Sequence, residues 1–134
     1  EIAFDSFAIA FQKIKRKYGG LSSPSGTFYD LGSGTGKPAL AAALLHDWEK
    51  VIGIEILEGL HTTSLELLEK WNTEIRPDLP PKKQSTEVQF LLGDITRMDS
   101  WATEADMVFM NSTCFDEPLM KKLAEIAEGM KVGS

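Results

Sequence analysis

Phe28-Tyr29-Asp30-Leu31-Gly32-Ser33-Gly34-Thr35-Gly36-Lys37 reads as a short apolar strand that runs straight into a glycine loop and must then open a helix. Phe28 and Leu31 suit a strand. Glycines at the alternate positions 32, 34 and 36 allow a tight turn with φ above zero and leave bare backbone facing a ligand. Such a loop cradles a nucleotide, and its spacing decides which kind. A dehydrogenase fingerprint, G-x-G-x-x-G, requires glycine where Lys37 stands; a phosphate P-loop requires glycine at Leu31 and Ser or Thr at Pro38. Neither fits. What remains is Asp-x-Gly-x-Gly-x-Gly, with an acid ahead of the glycines.

Three further runs supply context. Val51-Ile52-Gly53-Ile54-Glu55-Ile56 is β-branched, and its acid falls about 20 residues past the glycines, where a carboxylate can meet both ribose hydroxyls. Val88-Gln89-Phe90-Leu91-Leu92-Gly93-Asp94-Ile95 ends in Gly-Asp, with Asp94 suited to an adenine amino group and Ile95 to the ring face. Ala105-Asp106-Met107-Val108-Phe109-Met110-Asn111 ends in Asn111 at a strand's carboxyl end, where open α/β sheets bind ligands. Each residue also has a plain structural reading. Asp30 could cap a turn, Glu55 face solvent, Asp94 serve turn chemistry, Asn111 cap a helix and Phe115 fill core.

Together these strand ends resemble the seven-strand S-adenosylmethionine (SAM) methyltransferases. The later half is similar to the non-SET histone-lysine methyltransferases, the disruptor-of-telomeric-silencing family. The segments that carry this are Asp30 to Gly36, Gly53-Ile54-Glu55, Phe90-Leu91-Leu92-Gly93-Asp94 with the later Trp101, and Ala105 to Asn111 with Phe115 behind. The sequence departs from the family at Ile56, where lysine is usual, at Lys37 in place of glutamine, and at Asn111-Ser112 in place of doubled asparagine. The resemblance implies SAM as donor and S-adenosyl-L-homocysteine as product. It assigns the methionine end to Asp30 and the loop Gly32, Ser33, Gly34, Thr35 and Gly36, the ribose to Glu55 with Ile56 beside it, and the adenine to Asp94 and Ile95. Asn111 and Phe115 fall on the acceptor side. Because SAM carries the reactivity, positioning is the mechanism, and a lysine acceptor must lose its proton in an apolar channel first. The implied substrate is a basic protein or peptide such as a histone. The alternatives are a SAM-binding module without transfer, or a methyltransferase acting on a non-histone protein or small molecule. Asn111-Ser112-Thr113-Cys114 lacks the Asn-Pro-Pro-aromatic run of base and glutamine methyltransferases.

The expected fold is α/β, a Rossmann-like SAM methyltransferase sheet with helices on both faces, cut short before its fifth strand. With 134 residues and 43% hydrophobic content, residues 1–134 can hold one such partial domain. A net charge of −6 argues against a nucleic-acid clamp in this segment and suits a basic substrate. The small clusters at Lys13, Lys15, Arg16, Lys17 and at Lys82, Lys83 read as solvated faces. One cysteine excludes an internal disulfide, and Cys114 reads as a small buried residue. No apolar run is long enough to span a bilayer, so the chain reads as intracellular, nuclear or cytoplasmic. His46 and His61 lack ligand spacing, and no metal is expected.

Phe4, Phe7, Phe11, Ile14 and Tyr18 recur at helical spacing and predict an amino-terminal helix over 1–19, ending at Gly19-Gly20. Pro38 suits the first turn of a second helix whose free N–H groups would favour SAM's carboxylate. Leu57, Leu60, Leu67, Leu68 and Trp71 mark a third helix packed on the sheet. Pro77, Pro80 and Pro81 predict an extended loop over 73–87, and Asp116-Glu117-Pro118 opens a last helix.

Overall fold

The computed structural model describes residues 2–18, 21 and 24–134. In chain order the elements are α1 (Phe4–Tyr18), β1 (Thr27–Leu31), α2 (Lys37–Leu45), β2 (Lys50–Glu55), α3 (Glu58–Lys70), α4 (Pro81–Gln84), β3 (Glu87–Leu92), α5 (Trp101–Glu104), β4 (Met107–Met110) and α6 (Glu117–Ala127). A π-helical turn (Trp71–Ile75) and a 3-10 turn (Arg76–Asp78) extend α3, so the proline-rich stretch is a run of helical turns rather than the extended loop expected. Pro77 and Pro81 occupy the first turns of their helices, where a missing N–H costs nothing. The expected cap at Gly19-Gly20 lies outside the described residues.

The strands form one parallel sheet in the order β3-β2-β1-β4. Phe28 pairs with Val51 and Tyr29 with Ile52, so the two-residue period of a strand sends these neighbours to opposite faces. Phe28 and Val51 enter an upper core with Phe7, Phe11, the α2 alanines, Trp48 and Trp71. Tyr29, Leu31, Ile52 and Ile54 enter a lower core with Trp101 and Leu123. Helices thus cover both faces, as expected. Among the described residues β4 pairs with β1 alone.

Each face is fastened by aromatic side chains. On the upper face Phe11 meets Trp48 edge-on with centroids 6.1 Å apart, and Phe7 meets Phe109 edge-on at 5.0 Å. Phe4, Ile14 and Tyr18 stay substantially exposed, so the buried stripe of α1 is narrower than its periodicity suggests. Trp48 Nε1 donates to the Ala42 carbonyl, and His46 is buried against Trp48 and Phe11. Burial holds the His46 imidazole below its ordinary pKa. On the lower face Tyr29 Oη donates to Glu104 at 2.6 Å, and burial followed by this acid pushes the phenol up to about 12. Asp116 caps α6 by accepting the Leu119 N–H at 2.9 Å.

Candidate functional site

Strand periodicity places the acids. Asp30 lies two residues past Phe28, Glu55 lies four past Val51, and Phe109 lies two past Met107, so all three share the upper face at the carboxyl ends of neighbouring parallel strands. A cavity of about 410 Å³ opens there, lined by Asp30, Gly32, Ser33, Gly34, Thr35 and Glu55 on one side. Asn111, Thr113, Cys114 and Phe115 line the other, with Ile2, Pro38, Leu57, Leu60 and Phe109 as apolar wall. That is the size of a small-molecule site, about 300–1,000 Å³. A larger hollow of about 560 Å³ along α1 is lined by that helix alone and is a face rather than a cavity.

The glycine loop divides its tasks unequally. Gly34 has φ +54°, and a Cβ there would meet nothing within 4 Å, so this position alone presents open backbone. A Cβ on Gly32 would come 3.0 Å from Phe115 Cζ, and one on Gly36 would come 2.5 Å from Phe90 Cζ. Gly36 therefore makes room for a core ring instead of facing the cavity. Gly53 serves the same ring, since its Cβ would lie 2.7 Å from Phe90 and 2.8 Å from Ser33.

Glu55 straps the loop. Its Oε2 accepts the Gly34 N–H at 2.8 Å and its Oε1 accepts the Leu57 N–H at 2.9 Å, with the residue 6% exposed. A carboxylate has about four lone-pair directions, so each oxygen keeps one for a ligand hydroxyl. The loop's own donors are largely engaged: the Gly32 and Ser33 N–H groups both reach the Ile54 carbonyl, at 2.9 and 3.0 Å. At the start of α2, Pro38 has no N–H, Leu40 N–H makes the first intrahelical bond to the Gly36 carbonyl at 3.1 Å, and the Ala39 N–H pulls the Asp30 pKa down.

Asp30 is the least satisfied group in the cavity. It is 1% exposed, and its Oδ2 has no hydrogen-bond partner, nor has Ser33 Oγ. Burial, then the neighbouring Glu55 carboxylate, pushes the Asp30 pKa up to about 7, against the pull of the Ala39 N–H. A buried acceptor of this kind, facing a second acid, is a receptor for a cation or a hydrogen-bond donor.

Other expected residues stand apart. Ile95 is buried in the lower core and its carbonyl accepts Trp101 Nε1 at 2.9 Å, so its side chain does not line the cavity. Asp94 accepts the Thr96 N–H and hydroxyl at 2.8 and 2.7 Å, the turn role weighed against it, and these bonds hold its pKa below the ordinary range. Ile56 and Leu92 are exposed at the ends of β2 and β3 and supply apolar surface where Ile95 does not. Cys114 is exposed, contrary to its reading as buried. Leu57 and Leu60 line the cavity instead of packing on the sheet; their i, i+3 spacing gave no sign of this.

The model of the Histone methylation protein DOT1 family matches residues 20–134. The chain belongs to this family. It is 30% identical to the H3 lysine-79 specific histone-lysine N-methyltransferase of Kluyveromyces lactis over 139 aligned residues, covering 100% of this chain and 23% of that protein. The chain thus spans about a quarter of that relative's length. Among solved structures it superposes on an S-adenosylmethionine-dependent methyltransferase of Clostridium acetobutylicum with TM-score 0.70 and 11% identity, covering 100% of this chain and 49% of that one. It superposes as well on a precorrin 8w decarboxylase of Methanobacterium thermoautotrophicum, TM-score 0.62 and 16% identity, covering 100% and 61%. These likenesses establish the Rossmann-like fold alone. Within the DOT1 match lie the glycine loop, Glu55, the Phe90 to Asp94 run, Trp101 and Asn111.

Proposed function

We propose that this chain binds SAM in the cavity above β1, β2 and β4 and forms the donor side of a histone-lysine methyltransferase, with nuclear histone H3 as the substrate class. One observation carries the reading: a buried carboxyl at Asp30 whose Oδ2 lacks a partner, open backbone at Gly34 and the Glu55 carboxylate frame one cavity. These match the three polar parts of an amino-acid nucleoside. Asp30 receives the ammonium, which also relieves its repulsion with Glu55. Gly34 leaves room for the methionine chain, and Glu55 holds the ribose hydroxyls while remaining bonded to the loop. Ile56 and Leu92 give the adenine an apolar shelf, with Asp94 at its edge.

SAM supplies an electrophilic methyl on a sulfonium; the protein supplies alignment. Asn111, at the carboxyl end of β4, is the polar group on the acceptor side, and Phe109 and Phe115 give that side an apolar wall. An amine entering between those rings is desolvated, which lowers its pKa toward the neutral, nucleophilic form. A donor-binding module that holds SAM without transferring its methyl is the second reading.

Calorimetry with S-adenosyl-L-homocysteine, NAD and ATP, followed by incubation of nucleosomes with labelled SAM, separates these readings. The expected result is selective binding of the homocysteine nucleoside and label on histone H3. Binding without label leaves the module reading, and preference for NAD removes methyl transfer altogether.

A further inference from the structure

Cys114 closes the 3-10 turn Ser112–Cys114 directly before Phe115. It is exposed, it is the chain's one cysteine, and it lines the same cavity as Asp30 and Ser33. Its side-chain neighbour is Thr113 Oγ1 at 3.9 Å, a weak contact that leaves the sulfur able to turn. A thiol alone marks nothing. Here the cavity wall carries Asp30 and Ser33, 1% and 4% exposed, each with an oxygen that lacks a protein partner. Groups so buried and so unpaired belong to a site that receives a ligand. The thiol shares its side of that site with Phe115, Phe109 and Asn111.

We propose that Cys114 is a covalent modification site in the wall of this cavity, taking soft carbon electrophiles on flat apolar bodies, and that the adduct occludes the space framed by Asp30, Gly34 and Glu55. The space fits such a group: at about 410 Å³ it holds a two-ring aromatic. The chemistry is conjugate addition. The thiolate sulfur bonds to the terminal carbon of an electron-poor alkene, the alkene π pair moves to the adjacent carbon, and that carbon takes up a proton equal to the one the thiol lost. Nothing is oxidised or reduced and nothing leaves. The identity of the displaced ligand rests on the SAM reading above; the placement of the thiol does not.

The test labels the full chain with acrylodan, an environment-sensitive naphthyl enone, at Cys114. In parallel it labels a Cys114→Ser, Glu125→Cys variant whose thiol stands on the exposed side of α6. The Cys114 adduct is expected to emit to the blue of the Glu125→Cys adduct and to resist iodide quenching. Labelling at Cys114 is expected to weaken S-adenosyl-L-homocysteine binding by about tenfold or more, whereas labelling the Glu125→Cys variant leaves its own affinity unchanged. Equal emission and quenching at both positions would overturn the proposal, and so would a blue-shifted adduct on a chain that binds the nucleoside undiminished. A blue-shifted, protected adduct on a chain whose unlabelled form binds no nucleoside supports the thiol's place in the cavity and defeats the SAM reading instead.

Discussion

Replacing Asp30 with asparagine should stabilise the chain at pH 8 and change it far less at pH 5. Asp30 is 1% exposed, and burial first, then Glu55, raises its pKa from an ordinary 3.8 to about 7. Because the folded value lies above the unfolded one, the folded chain holds the extra proton between them. The stability this contributes is full below about pH 4 and is lost as pH rises through 7. At about 1.4 kcal/mol per pH unit the whole span is worth about 4 kcal/mol, of which about 2–3 kcal/mol is lost between pH 5 and pH 8. Asparagine keeps the shape but has no charge to bury next to Glu55. Urea titrations of both proteins at several pH values measure the difference directly. The wild-type midpoint should fall relative to the variant as pH rises, and a difference flat to within about 0.5 kcal/mol across that range would refute the reasoning. The same variant should lose affinity for S-adenosyl-L-homocysteine while keeping that for adenosine, which has no ammonium group.

The loop glycines should separate stability from binding. Gly36→Ala, with φ +90° and a Cβ 2.5 Å from Phe90, should cost about 2–4 kcal/mol in urea. Gly34→Ala, with φ +54° and open space around it, should cost about 1 kcal/mol or less beyond its backbone preference yet weaken nucleoside binding by calorimetry. Glu55→Ala leaves the Gly34 and Leu57 N–H groups without their acceptor and should cost about 1–3 kcal/mol, with Glu55→Gln retaining part of it; equal midpoints for the alanine variant and wild type would remove the strap from the account. His46, held below its ordinary 6.5 by burial, contributes stability that is present above pH 6.5 and lost as pH falls. This acid-side loss should emerge cleanly in an Asp30→Asn background, where the opposing carboxyl contribution is gone, and a midpoint there independent of pH between 5 and 7 would contradict it.

The sheet and the shared face of Asp30 and Glu55 were legible in sequence because both depend on local pattern. A period of two along Phe28-Tyr29-Asp30 and Val51 to Glu55 assigns faces without any knowledge of the partner strand, so Asp30 and Glu55 had to emerge on one side. What stayed hidden depends on contacts between distant residues. Gly36 and Gly53 are glycine because Phe90 needs their space, and no local signal links position 36 to position 90. Leu57 and Leu60 carried helical spacing equally suited to a buried stripe, and only the direction in which α3 leaves β2 turns them to the cavity. Ile95 follows the Gly-Asp pair at the end of β3, but Trp101 Nε1 holds its carbonyl and its side chain goes to the lower core.

This distinction bears on what the cavity recognises. Had all three glycines presented open backbone to the ligand, the loop would be a general backbone cradle, and its selectivity would come from shape alone. Two of them instead accommodate the rings of Phe115 and Phe90, and the Gly32, Ser33 and Gly34 donors are satisfied within the fold. The buried polar groups left for a ligand beside the loop are therefore chiefly acceptors, namely the unpaired Asp30 oxygen, the remaining lone pairs of Glu55 and the amphoteric Ser33 hydroxyl, with Thr35, Asn111 and Thr113 adding donors elsewhere on the wall. A site rich in buried acceptors selects a ligand rich in donors and discriminates against phosphates, which bring more negative charge toward two carboxylates. An ammonium and a pair of ribose hydroxyls meet that demand, whereas a dinucleotide or nucleoside triphosphate does not. On the SAM reading proposed above, selectivity for an amino-acid nucleoside would follow from which backbone donors the protein has already engaged.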